Sequence, residues 1–208
     1  MRRVLWGRNN SSNVMKVIWL LEELHLPYER RDAGGAFGKT ERPEYRAMNP
    51  TGLVPTLEED GFTLWESNAI LRYLAGGASG GSAYYPADPH TRARIDQWLD
   101  AQQNQLNRPI GTVFWGMVRT PPEQRDMGAI RQAIAHAAGI WRYLDSPLSA
   151  HPFLSGGAFG IADIAWGVHV HRWYAMAIER PDNPLLRAWY ERLLERPAYT
   201  AHVARPLS

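Results

Sequence analysis

The opening of the chain changes periodicity twice within 32 residues. A short apolar run, Val4-Leu5-Trp6, is closed by Gly7, and residues 2–6 read as a first strand. From Val14 the apolar positions fall at Val14, Val17, Ile18, Leu21 and Leu24, the stripe of an amphipathic helix. Ser11, Ser12 and Asn13 stand just ahead of it, all of them residue types that cap helices. Residues 26–32 (LPYERRD) read as a second strand. Strand, helix and strand in one sheet imply a parallel pair joined by a crossover.

Residues 33–52 are rich in Gly, Pro and charge and read as an irregular segment with one short helix. The runs LVPTLEE and FTLWE then flank Asp60-Gly61, a strong hairpin signal. Residues 66–74 (ESNAILRYL) form a short helical pattern. After residue 76 the composition shifts to Gly and Pro with almost no periodicity, and 77–89 is expected to be a linker. Beyond it the pattern is helical throughout, over 91–107, 125–144, 161–178 and 183–196, with Pro at the junctions. The expected organisation is a small α/β domain over 1–76, in the order βαβ then ββα, followed by an all-α domain over 90–208.

Composition narrows the function. Of 208 residues 45% are hydrophobic and 21% charged, so the chain is globular and long enough for a sizeable core. Nine Trp point to wide apolar surfaces, in a core or a binding cleft. A net charge of +2 suits a small anionic ligand and is far too weak to argue for nucleic acid. The chain has no Cys, which removes disulfides, Cys-based zinc sites and a nucleophilic thiol of its own. No apolar run reaches membrane-spanning length and no signal-type segment opens the chain, so no membrane role and a cytoplasmic location are expected.

Four local motifs stand in a telling order: Ser11-Ser12-Asn13-Val14, NPTGLVP at 49–55, WESNAILRYL at 65–74 and GIADIAW at 160–166. Together they resemble the cytosolic glutathione S-transferases, most closely the serine-type phi, theta and related bacterial members, over essentially the whole chain. The resemblance implies a thioredoxin-like domain followed by a helical-bundle domain. It also implies a transferase with glutathione as co-substrate, no metal, and a small hydrophobic electrophile as second substrate. Glutathione-dependent peroxide reduction or dehalogenation are variants of that chemistry, and a role in detoxification goes with it. A non-catalytic module that keeps the fold as an interaction scaffold is the alternative.

Each motif has a physical reading of its own. A free thiol has a pKa of about 8.5, so little thiolate exists at neutral pH. A hydroxyl donating to the sulfur, beside a helix N-terminus, favours the anion. The resemblance puts that hydroxyl at Ser11, with Ser12 and Asn13 in reserve; read alone, all three are plain helix caps. At Val54-Pro55 the family has a cis peptide bond, and the residue before the Pro pairs its backbone with the cysteinyl part of glutathione, as an added strand pairs with a sheet edge. Glu66 and Ser67 open a helix, where free N–H groups receive a carboxylate well; the resemblance gives Ser67 the γ-glutamyl carboxylate and Glu66 its amine. For the glycine end the matching position is Thr40, with Lys39 and Arg42 flanking it. Gly160 and Asp163 retain half of a capping box, a structural feature.

The electrophile is expected between the domains. Candidates are Trp6, Phe114, Trp115, Arg119, Trp166, His169, Arg172 and Trp173, about half of them expected in the core, where most aromatics at helical spacing go. His169 and His171 lie two apart on a helix and so face different ways, which argues against a metal pair. The pairs Glu22-Glu23 and Glu58-Glu59 read as solvated. By resemblance the protein is a homodimer, with Arg72 and the 91–107 helix as contributors to the interface.

Overall fold

A computed structural model describes residues 2–77 and 83–208. The chain divides into two compact units, one running to Ala87 and one from Asp88. The expected 77–89 linker falls in part on 78–82, which lie outside the described residues.

The first unit is built on a four-stranded sheet, β1 (Arg3–Trp6), β2 (Glu29–Arg31), β3 (Thr56–Glu59) and β4 (Phe62–Trp65), in spatial order β2-β1-β3-β4. β1 runs parallel to β2 and antiparallel to β3. β2 covers only three of the seven residues in the 26–32 run, because Pro27 has no N–H to give a ladder. The β3–β4 hairpin turns at Asp60 (φ 46°) and Gly61 (φ 91°), the two left-handed positions that a tight hairpin requires. Among the described residues three α-helices accompany the sheet: α1 (Ser12–Glu23), α2 (Pro43–Met48) and α3 (Ser67–Gly76).

Strand alternation assigns the two sheet faces. Arg3 and Glu59 are opposite each other in the ladder and form a buried ion pair, and the Tyr73 hydroxyl of α3 donates to Glu59 at 2.6 Å. That face therefore meets α3. Trp6 and Thr56 are also opposite each other, and Tyr45 of α2 reaches both, edge-on to the indole and 2.8 Å from the Thr56 hydroxyl. That face meets α2. Glu58-Glu59, expected to be a solvated pair, is thus split by the pleat: Glu58 accepts from the Trp6 indole, and Glu59 is buried against Arg3.

The second unit is all helical: α4 (Pro89–Ala101), α5 (Asn107–Phe114), α6 (Met127–Trp141), α7 (Asp145–Ala150), α8 (Ile161–Ala175), α9 (Pro184–Leu194) and α10 (Pro197–His202). The helix expected over 91–107 continues to 119. Pro109 looks like a stop in sequence, but a π-helical turn at Gln102–Leu106 already interrupts the ladder ahead of it, and a second one follows at Trp115–Arg119. Asp88, Asp126 and Asn183 cap α4, α6 and α9 through their side chains.

α8 is the centre of this unit, buried on every side from Ile161 to Trp173. Trp98, Trp166, Trp141 and Trp173 form a chain of ring contacts 5.7–6.2 Å apart. At its start Asp163 is fully buried and accepts from the Leu154, Ser155 and Gly160 N–H groups and the Trp189 indole, at 2.7–3.1 Å. Burial pushes its carboxyl above the ordinary value, and these donors oppose that shift. His171 is held between the Tyr190 hydroxyl (3.0 Å) and the Arg205 carbonyl (2.8 Å).

Asp163→Ala leaves four donors, three of them buried, without an acceptor, and urea unfolding followed by Trp fluorescence should show a loss of at least about 3 kcal/mol. Burial lowers the His171 pKa below its ordinary 6.5. The unfolded chain then binds the proton first, so stability is full above that value and falls as pH drops through it toward the lower folded value. His171→Gln should flatten that part of the stability-against-pH curve relative to wild type.

Candidate functional site

Ser11 occupies the N-cap position of α1, with φ −84° and ψ 125°, yet its hydroxyl makes no capping bond. Its backbone does the capping work: the Ser11 carbonyl accepts from Met15 N–H at 2.8 Å. Ser11 thus holds the cap position without its side chain capping. Ser12, the first helical residue, is buried beside it. Asn13 faces the other helix start of this unit, its Oδ1 accepting from the Ser67 hydroxyl at 3.3 Å.

The NPTGLVP turn is organised by one side chain. Asn49, buried, accepts at Oδ1 from the Thr51 amide (3.0 Å) and hydroxyl (2.6 Å), and donates through Nδ2 to the Leu53 carbonyl (2.9 Å) and the Thr56 hydroxyl (3.0 Å). The Tyr45 hydroxyl adds a 2.6 Å bond to the Leu53 carbonyl. Burial raises the Tyr45 pKa, with the bonds to Thr56 and Asn49 opposing, so this phenol stays a neutral donor. The turn delivers Val54-Pro55, whose peptide bond is cis. The Val54 N–H and C=O take part in none of the bonds among the described residues, which leaves a short open strand edge ahead of β3. The Val54 side chain is walled in by two glycines: a Cβ on Gly7 would lie 3.3 Å from it and 2.4 Å from Val14, and one on Gly34 would lie 3.2 Å from it.

Glu66 precedes α3 with φ 70° and ψ 111°, a left-handed conformation that costs a non-glycine residue roughly 1–3 kcal/mol. Its carboxylate is exposed, and Ser67 behind it is 3% exposed. The strained residue thus places an exposed acid at the N-terminus of a helix whose first N–H groups have no partner within the helix.

The glycine-end candidates diverge. Thr40 is buried, while Lys39 is exposed and donates from Nζ to the Asp32 carbonyl at 2.8 Å. Lys39 lines a cleft of about 850 Å³ with Trp6, Arg31, Arg42, Tyr45 and Met48, on the α2 face of the sheet. Trp6 belongs there too, under the Arg31 guanidinium at 5.1 Å. It is therefore tied to α2 and β2; the other aromatic candidates belong to the second unit.

Among those, Trp166 and His169 are sealed in the core, 0% and 1% exposed, the first donating to the Trp98 carbonyl and the second bonded to Gln102. Trp173 is equally buried. Their helical spacing reflects the all-round burial of α8. Phe114 is buried with the Arg172 guanidinium 4.0 Å from its ring centre and Arg119 at 5.7 Å. Trp115 is 58% exposed, and Arg119 lies over it while donating to the Ser208 carbonyl. Only Trp115 and Arg119 of this group offer open surface.

Residues 1–76 match the family model for the glutathione S-transferase N-terminal domain, and residues 96–192 match that for the C-terminal domain. The chain belongs to the glutathione S-transferase family. It is 41% identical over 206 residues to glutathione S-transferase GstB of Escherichia coli, covering 98% of this chain and 99% of that one. Among solved structures it is similar to the theta class glutathione S-transferase of Xanthomonas axonopodis pv. citri with glutathione bound, at 44% identity and a TM-score of 0.94, over 99% of each chain. A glutathione S-transferase of Pseudomonas fluorescens is 29% identical with a TM-score of 0.84, over 95% of this chain and 97% of that one.

Sequence reasoning passed over two residues of this glutathione S-transferase. Lys16 and Asn68 are buried and lie at the starts of α1 and α3. The available signal was a lone Lys inside the apolar stretch of α1 with no acidic residue three or four positions away.

The crowding at Gly7 (φ 152°) leaves no room for a side chain between α1 and Val54. Gly7→Ala should lose about 1–3 kcal/mol of stability by overpacking, read as a lower midpoint in thermal unfolding.

Proposed function

We propose that this protein is a glutathione transferase in which the Ser11 hydroxyl donates to the sulfur of bound glutathione and holds it as thiolate. The uncommitted hydroxyl of Ser11 at the N-terminus of α1 is the observation that carries this reading. Lowering a thiol pKa by about two units from about 8.5 takes roughly 2.7 kcal/mol. A charge-assisted hydrogen bond and a helix N-terminus together supply that amount. The proton leaves to solvent, the thiolate sulfur forms a bond to the electrophilic carbon, and the leaving group departs with the electron pair of the bond that breaks.

The rest of the tripeptide is assigned by matching chemistry. Val54 pairs its free N–H and C=O with the cysteinyl backbone, next to Pro55. The γ-glutamyl carboxylate lies on the first turn of α3 at Ser67, with its amine toward the Glu66 carboxylate. Lys39 and Thr40 are the assignment for the glycine end. For the small hydrophobic electrophile, Trp115 and Arg119, backed by Phe114 and Arg172, are the surface of choice. A homodimer, on the strength of family membership, belongs to the same proposal.

Titration of the ultraviolet thiolate band of bound glutathione tests the central step. The expected thiol pKa is about two units below that of the free thiol in wild type and close to the free value in Ser11→Ala. Conjugation to an aryl halide should drop roughly 10²-fold in Ser11→Ala, the usual loss for one donor at a developing or bound anion. Reversion only in Ser12→Ala or Asn13→Ala would move the role to that neighbour, and an unshifted thiol in wild type would end the proposal.

A further inference from the structure

Lys16 lies on α1 with no exposed surface at all. The residues three and four positions away on its helix are Ser12, Asn13, Trp19 and Leu20, none of them a carboxylate. Burying an ammonium is costly unless its N–H groups are taken up. Among its contacts, Nζ donates to the Ser67 hydroxyl oxygen at 3.4 Å and to Asn68 Oδ1 at 3.2 Å. Both acceptors sit in the first turn of α3. The Ser67 hydroxyl donates onward to Asn13 Oδ1 at 3.3 Å, and Asn13 lies three residues before Lys16 on α1. Four side chains thus link the beginnings of two helices.

An apolar residue at position 16 would pack α1 against α3 at least as well, since buried polar groups seldom add stability over apolar ones of similar volume. The Lys does something packing does not. By donating into the Ser67 oxygen it turns that hydroxyl proton toward Asn13, and by holding Asn68 it fixes the turn whose N–H groups face outward.

We infer that Lys16 is a positioning residue for the γ-glutamyl end of glutathione. It holds Ser67 and the first turn of α3 in the arrangement that receives the carboxylate. Through Ser67 and Asn13 it also sets that end in register with the thiol end at α1. This inference rests on the glutathione reading above and adds a residue that acts through Ser67 without touching the sulfur.

The test compares full-length wild type, Lys16→Met, Lys16→Arg, Ser67→Ala and the Lys16→Met/Ser67→Ala double variant in aryl halide conjugation. Glutathione and cysteinylglycine, which lacks the γ-glutamyl group, serve as alternative thiols. For Lys16→Met the glutathione KM should rise about 10-fold or more while kcat at saturation changes less than about 3-fold. With cysteinylglycine, kcat/KM should stay within about 2-fold of wild type, because the group that Lys16 positions a site for is missing. Lys16→Arg should recover part of the KM. The double variant should be no worse than Ser67→Ala alone to within about 2-fold, the mark of two residues acting as one unit.

An unchanged glutathione KM in Lys16→Met, or an equal loss with both thiols, overturns the inference. So does strict additivity with Ser67→Ala. Should Lys16→Met fail to fold, Lys16→Gln carries the same comparison, with a KM rise confined to glutathione expected and an equal loss with both thiols overturning it. A wild type with no activity toward glutathione would remove the glutathione reading itself, a result distinct from an active wild type that is indifferent to residue 16.

Discussion

One hydroxyl, that of Ser67, can touch the starts of two helices only if α1 and α3 begin at the same end of the sheet. The topology enforces this. β1 and β2 are parallel, so α1 starts beyond the end of β1, and the β3–β4 hairpin returns the chain to that same end before α3 begins. Two helix N-termini with their outward N–H groups then stand side by side over an open strand edge at Val54. The proposed binding of glutathione uses this arrangement, with a positive terminus for its thiol, another for its γ-glutamyl carboxylate, and backbone donors and acceptors between them. The glycine wall at Gly7 and Gly34 accommodates the close approach of Val54 to its neighbours.

Most of this was legible because it is local. The αL pair Asp60-Gly61, the Asx-type turn at Asn49 and the helix start at Glu66-Ser67 each depend on residues within seven positions of one another, so motif and structure coincide. The N-cap position of Ser11 was legible as well, although the sequence could not separate a capping hydroxyl from an idle one. That distinction lies in a side-chain rotamer.

What escaped was set by tertiary burial. Trp166, His169 and Trp173 share the spacing of a cleft-lining face, but α8 is surrounded on all sides, so its periodicity carries no facing information. The side of the sheet that Trp6 takes was likewise not legible: the pleat points it at Tyr45 and α2. The Glu58-Glu59 pair shows the same effect at the smallest scale: adjacent residues in a strand face opposite ways, and Arg3, 56 positions away, decides which is buried. Lys16 escaped because a single charge in an apolar stripe reads as an imperfection until the acceptors on α3 are in place.

A chain without Cys cannot store its nucleophile; the reactive sulfur arrives with the co-substrate. In the proposed reaction binding and activation are then one event, since the group to be ionised is part of the ligand that is held. The protein's part is to keep dipoles and hydrogen-bond donors in place before the sulfur arrives, so that no reorganisation is needed when it does. Residues that hold the tripeptide far from its sulfur therefore act on the fraction of protein carrying a nucleophile, and their loss is made good by more glutathione. Residues at the sulfur act on how nucleophilic it is, and no concentration restores that. The division between the two ends of the site is thus a division between KM and kcat, imposed by where the reactive atom comes from.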